Sequence, residues 1–206
     1  VLSYRDHAYS RTGVAAFTTS TGYGIAKYDN PEELSVSERN NIGYQYTDCP
    51  LYWISVIYLN FAEAKAEMGS LTQDDLNNAI NKLQARAGLP AMTTTPDADP
   101  ANNMGVSNLI WEIRRCRRCE LIMDNWYRYW DLIRWHQLDK LDSTKYPNTM
   151  LGANVSNVPD CEEATKNGYI DASDAQIRTY EAKHYFYPIP TTQLTLNKNM
   201  KQNPGW

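Results

Sequence analysis

The chain has 206 residues, 42% of them hydrophobic, and a formal net charge of -4, which leaves room for one domain or two small ones with a buried core. The acidic balance excludes a general nucleic-acid partner, since no surplus of cations exists to displace counterions from phosphates, and no run of about eighteen apolar residues is present to span a membrane. Fifteen Tyr and six Trp stand against three Phe, an aromatic surface with hydroxyl and indole donors that suits wet interfaces and sugar-like ligands.

From Val1 to Thr47 the chain is polar and rich in Tyr, Gly, Ser and Asn, which predicts loops and short strands. A helix is predicted from near Pro50 to Gly69, with Ile54, Ile57, Tyr58, Phe61 and Ala62 as its apolar stripe. A second follows at once: Thr72 and Asp75 form a capping-box signature, Leu76, Ala79, Ile80 and Leu83 repeat the stripe, and Gly88 with Pro90 stops it. So short a connection predicts an antiparallel helical pair. Beyond a polar linker, Ser107 or Asn108 caps a third helix whose face is Leu109, Ile113, Cys116, Cys119 and Met123, with Arg114 and Arg118 opposite. Glu120 falls on the apolar face and needs a cation, from Arg117 one turn back or from an arginine of the next helix such as Arg128. A fourth helix, which contains Asp131, is predicted over "WYRYWDLIRWHQLDKL". Residues 143–183 read as loop. The closing segment, with Pro188, Pro190 and several asparagines, is predicted to be extended, with neither helix nor central strand.

Residue chemistry favours binding over catalysis. The arginine-rich "RRCRRC" lies among Glu112, Glu120, Asp124 and Asp131, which predicts ion-paired structural arginines. Cys116 and Cys119 spell C-x-x-C in mid-helix, where zinc ribbons would need a tight turn, so no metal is expected there. The four cysteines are too few for a disulfide scaffold and do not fix the compartment. His7, His136 and His184 are isolated, and the acidic residues offer no recognisable pair for glycoside hydrolysis. No cofactor is implied. Tyr23, Tyr28, Tyr44, Tyr46 and Trp53, interleaved with Asn, Gln and Asp, are candidate ligand contacts, because aromatic faces stack on sugar C–H surfaces while amides and carboxylates take hydroxyls. The alternative, which carries the greater weight, is that these aromatics merely anchor long loops.

Three blocks together resemble the SusD/RagB family of outer-membrane nutrient-binding lipoproteins. They are "YLNFAEAKAEMGSLTQDDLNNAINKLQARAGLP", then "IRRCRRCELIMDNWYRYWDLIRW", then the closing "YFYPIPTTQLTLNKNMKQNPGW". Cys116 stands where the family usually has Glu, Asp124 and Asn125 replace Glu-Gly, and Trp53 stands where Arg is frequent. The resemblance implies a mainly α, SusD-like fold of tetratricopeptide-like helical hairpins with long loops and short strands. It makes residues 1–206 the C-terminal part of such a domain: a loop-rich segment over 1–47, a helical core over 48–142, and a long loop with a docked tail over 143–206. Glu120, Arg117, Arg128, Asp131 and Trp206 are its expected structural residues, with Trp206 plugging the tail against the helical body. It further implies a non-enzymatic protein of the outer-membrane surface, held by an N-terminal lipid anchor that this chain lacks. Such a protein captures an oligosaccharide or peptide and passes it to a SusC-like TonB-dependent transporter. A helical-repeat scaffold for a protein partner, and less readily a glycan-active enzyme, are the alternatives.

Overall fold

A computed structural model of the chain describes residues 21–23, 35–39, 51–124, 126–157, 165–173 and 176–206. Residues 50–137 form one compact unit, and residues 1–49 with 138–206 form another. In the described residues the fold is mainly helical, as the sequence predicts.

The unit over 50–137 is built on α2 (Ile54–Glu67), α3 (Gln73–Asn78), α4 (Ile80–Arg86), α5 (Asn108–Glu120) and α6 (Tyr127–Arg134); α1 (Val36–Arg39) is a single turn of the other unit. The end of α2 closes on Gly69, with Ser70 N–H donating to Lys65 C=O at 2.9 Å. The end of α4 repeats this at Gly88, with Leu89 N–H on Gln84 C=O at 2.9 Å. Both stops are the Schellman closure that a glycine after the last turn favours. The capping box also forms, since Thr72 Oγ1 accepts from Asp75 N–H while Asp75 accepts from Thr72 N–H. The second predicted helix is two, broken at Ala79, whose backbone leaves the helical region at φ -123° and ψ -95°. Its stripe survives the break: Leu76, Ala79, Ile80 and Leu83 are all buried.

The predicted face of α2 is corrected. The side chains it turns inward are Ser55, Leu59, Ala62 and Glu63, whereas Ile54, Ile57 and Phe61 are exposed. This helix is apolar on two sides, and the buried side is the one that carries Leu59 together with the carboxylate of Glu63. Helix α5 is corrected similarly: Ile110, Ile113, Arg114 and Arg117 are inward, Leu109 and Cys116 pack at the core margin, and Cys119 is exposed. The helix ends at Glu120, so Met123 lies in the following turn, 64% exposed and with φ +63°. Leu59, Ala62, Leu76, Ile80, Leu83, Met92, Ile113 and Leu121 make one apolar cluster. Helix α6 is shorter than predicted. His136 takes φ +53° and Gln137 N–H bonds back to Leu132 C=O at 2.8 Å, a Schellman-type stop without glycine.

The other unit contains a small antiparallel sheet in the order β1 (Leu151–Asn154), β3 (Tyr169–Asp171), β2 (Thr165–Lys166), where the sequence reading places only loop. Its hairpin turn is Asn167-Gly168, both at positive φ, the arrangement of a two-residue type I′ turn. Ala153, Val155 and Ile170 form its core. The closing segment also departs from expectation: Thr191–Leu196 forms a six-residue helix, α7, entered through Pro190. Proline is tolerated at a helix start, where no N–H is needed.

Two aspartates give the fold an acid limit. Asp75 is held at about 2 by Lys65, whose Nζ lies 2.7 Å away, and then by Thr72. Asp142 is likewise held at about 2, by the Thr144 hydroxyl first and by the Tyr180 N–H. Both values lie below the ordinary 3.8, so the ionised forms favour the folded state above about pH 4, and that contribution is lost as pH falls through about 2. Urea unfolding should therefore show Asp75→Asn less stable than wild type at pH 7, with the two converging towards pH 2. A gap that does not narrow on acidification would show that Asp75 contributes no proton-linked stability.

Candidate functional site

Among the described residues, a dense polar arrangement is buried between α2, α5 and α6. Glu63, 4% exposed, accepts from Arg134 Nη1 at 3.1 Å and from the Trp135 indole at 2.6 Å. Asp131, also 4% exposed, accepts from Arg117 Nε at 2.6 Å on one oxygen and from Arg134 Nε at 2.9 Å on the other. Arg117 reaches Asn60 Oδ1 at 2.9 Å. Arg114 donates to Glu67 at 3.1 Å. Its Nε lies 3.4 Å from Glu63 but makes no hydrogen bond, so that contact is one of charge alone. Arg114 and Arg134 both lie over the Trp135 ring, at 4.5 and 4.7 Å from its centroid. Three guanidinium groups thus meet three carboxylates in a closed set. Such a set fixes three helices relative to one another.

The sequence reading places Arg114 on the outer side of α5; it is 8% exposed and inside this set. Arginine on an inward face is invisible to hydrophobic periodicity, and the signal that could have found it is the excess of acids on α2, Glu63 and Glu67. Glu120 is paired, but with Arg86 of α4 at 2.5 Å rather than with Arg117 or Arg128. Arg118 and Arg128 make no hydrogen bond or ion pair among the described residues.

A cleft of about 370 Å³ opens beside the α4–α5 connection, lined in part by Gln84, Pro90, Thr93, Asp97, Glu112 and Arg115. Its wall is fixed at Met92, whose N–H donates to Asn81 Oδ1 at 2.7 Å and whose C=O accepts from Asn81 at 3.1 Å and Gln73 at 3.0 Å. Amide, hydroxyl and carboxylate groups over proline can receive a hydroxyl-rich ligand, and the volume lies within the range of small-molecule sites.

Two of the five sequence-predicted aromatic contacts, Tyr23 and Trp53, lie in the described residues. Tyr23 is 54% exposed, with its N–H on Thr21 Oγ1. Trp53 is partly buried at the start of α2, in the other unit. Tyr28, Tyr44 and Tyr46 lie outside the described residues. Cys116 is partly buried, and burial above all pushes its thiol up to about 11, with Glu120 adding to the effect. Among the described residues no group of three or more His, Cys, Asp or Glu could hold a metal, and no helix is long and apolar enough to cross a membrane.

Trp206 is 46% exposed, which corrects the expectation of a plug. Its indole donates to Lys183 C=O at 3.2 Å and Phe186 C=O at 3.0 Å, with the Lys183 ammonium 5.1 Å from its ring and His184 edge-on at 5.8 Å. The ring therefore clasps the start of its own segment. Gly205 permits this at φ +87°, where a Cβ would come within 2.9 Å of Lys183 Cβ. Upstream, the Gln202 side chain accepts from Ile189 N–H at 2.8 Å and donates to Ile189 C=O at 2.9 Å.

The family model described as the SusD family matches residues 4–206. Among solved structures, a SusD-like protein (BF3747) from Bacteroides fragilis NCTC 9343 is 26% identical with a TM-score of 0.51, covering 74% of this chain and 25% of its own. A second, BT4246, is 26% identical with a TM-score of 0.67, covering all of this chain and 32% of its own. The chain thus spans a quarter to a third of the length of these solved proteins. No curated protein matches it.

Proposed function

This chain belongs to the SusD family, and from that premise we propose that it serves in binding an oligosaccharide, without turnover, for delivery to a SusC-like TonB-dependent transporter. The family match across residues 4–206 carries this reading, since the family is generally one of glycan binding in nutrient uptake. The cleft at Gln84, Asp97 and Glu112 offers hydroxyl partners, and Tyr23, Tyr28, Tyr44, Tyr46 and Trp53 are proposed stacking contacts, with peptide as the less favoured cargo. The proposed place is the outer-membrane surface, through a lipid anchor. A second reading, a scaffold for a protein partner, draws on the outward apolar side chains of α2, where Ile54 and Ile57 are 63% and 59% exposed.

Glycan-array binding of the 206-residue chain tests the proposal, followed by incubation with the glycan retained. Retention of at least one oligosaccharide with its chain length unchanged is expected. Product growth that scales with protein and disappears on mutating one carboxylate would make it an enzyme. No retained glycan together with a stable protein partner in pull-down would favour the scaffold.

A further inference from the structure

The cleft beside the α4–α5 connection has a charge balance that narrows its ligand. Its charged lining is Asp97, Glu112 and Arg115. Arg115 is already engaged: its Nε donates to the two Glu112 oxygens at 3.2 and 3.0 Å, and its Nη2 donates to one of them at 2.6 Å. The two stand three residues apart on α5, and the carboxylate is only 14% exposed on its side chain. A forked, charge-assisted pair of this kind is fixed in geometry and neutral as a whole. Asp97 is the carboxylate left over. It is exposed, and its side chain makes no hydrogen bond or ion pair among the described residues. Asp99, two residues on, accepts from neutral donors, the Trp111 indole at 2.9 Å and the Ala101 N–H at 2.8 Å. The indole above all holds its carboxyl below the ordinary value, and Arg115 adds the least.

An exposed aspartate by itself is ordinary. Asp97 differs in sharing a cavity of about 370 Å³ with partners already fixed in place: the Glu112–Arg115 pair, and a wall tied at Met92 to Asn81 and Gln73. Pro96, also in the lining, sets the backbone just before it. A cleft with one spare negative charge and no spare cation draws cations and discriminates against anions, because an anion would meet like charge without a partner. Beside that charge, the Glu112 oxygens accept from hydroxyls, while the Gln84 amide and the remaining Arg115 N–H groups donate to them.

We propose that this cleft selects an amino sugar, with its protonated amine on Asp97 and its neighbouring hydroxyls on Glu112, Arg115 and Gln84, and turns away uronate and sulfated sugars. This rests on the glycan-binding reading above and gives that reading a charge class.

Calorimetric titration of the 206-residue chain in mildly acidic buffer tests it, with a glucosamine tetrasaccharide, its N-acetylated counterpart, tetragalacturonate and tetralysine. The glucosamine form should bind about fivefold more tightly than the neutral N-acetylated form, the upper scale for an exposed ion pair, and the gap should close at high salt. Tetragalacturonate should bind weakest. Asp97→Asn should bring the glucosamine and N-acetylated forms level, with the melting temperature unchanged because the side chain is exposed. Arg115→Gln should widen the gap, since it leaves Glu112 as a second unpaired carboxylate. Damage to the fold would weaken both sugars together and leave their ratio as it was. An unchanged ratio in Asp97→Asn overturns the site, as does tetragalacturonate binding as tightly as the glucosamine form, although glycan binding itself would then stand. No binding of any oligosaccharide, even with Asp97-dependent binding of tetralysine, overturns the sugar as ligand and the glycan-binding reading with it.

Discussion

Glu63→Ala should lower the unfolding free energy by about 3–5 kcal/mol, the range for breaking a buried ion pair by removing one partner. The carboxylate accepts from Arg134 and the Trp135 indole and faces Arg114, which is itself 8% exposed. Among the described residues, its loss leaves Arg114 with only Glu67, at 53% side-chain exposure, as an acid. Arg134 retains Asp131 and is 44% exposed on its side chain, so its share of the loss is small. Glu63→Gln should fall between wild type and alanine, because an amide oxygen still accepts from the indole. Urea unfolding at neutral pH provides the measurement. A loss below about 1 kcal/mol, the scale of an exposed pair, would mean that water reaches Arg114.

The second large effect is expected at Ile113, which is fully buried and packs in the cluster with Leu59, Leu76 and Ile80. Ile113→Ala should cost about 2–5 kcal/mol and Ile113→Val about 0.5–1.5 kcal/mol, as a cavity opens between helices that the ion set prevents from closing up. The urea midpoint should move while the slope stays constant, since the surface exposed on unfolding hardly changes. Equal costs for the two substitutions would show that the site collapses around the smaller side chain.

The two sites differ in how far the sequence announces them. Ile113 sits on the predicted face of α5, and the stripe Leu76, Ala79, Ile80 and Leu83 is readable because no competing apolar face exists on that segment. On α2 the same method selects Ile54, Ile57 and Phe61, which are exposed, along with the buried Ala62, and passes over Leu59, which is buried. Periodicity weighs hydrophobicity alone, and the buried face there includes Glu63, whose burial is compensated by arginines from segments far along the chain. Arg114 is misplaced for the same reason. The small sheet was within reach, since Asn167-Gly168 is the strongest short hairpin signal; the polar residues around it mask the strands. The capping box and the glycine stops depend only on neighbours in sequence, and they form as read. The expected aromatic contacts fall on several separate segments, where sequence offers no measure of distance.

The amide of Gln202 acts towards Ile189 as a neighbouring strand would, receiving its N–H and supplying one back to its C=O. Pro188 and Pro190 on either side have no N–H to donate, so Ile189 supplies the one N–H of this stretch, while Asn203 reaches the Tyr187 carbonyl at 2.7 Å beside it. A carboxamide accepts at one atom and donates from another, and from this backbone position Asn is one methylene shorter. Hydrolysis of that amide to a carboxylate would keep the acceptor, remove the donor and set a negative charge against the Ile189 carbonyl. The tail therefore carries a point of chemical ageing: with stored protein, loosening should begin at Ile189 and track the one-dalton mass gain at Gln202.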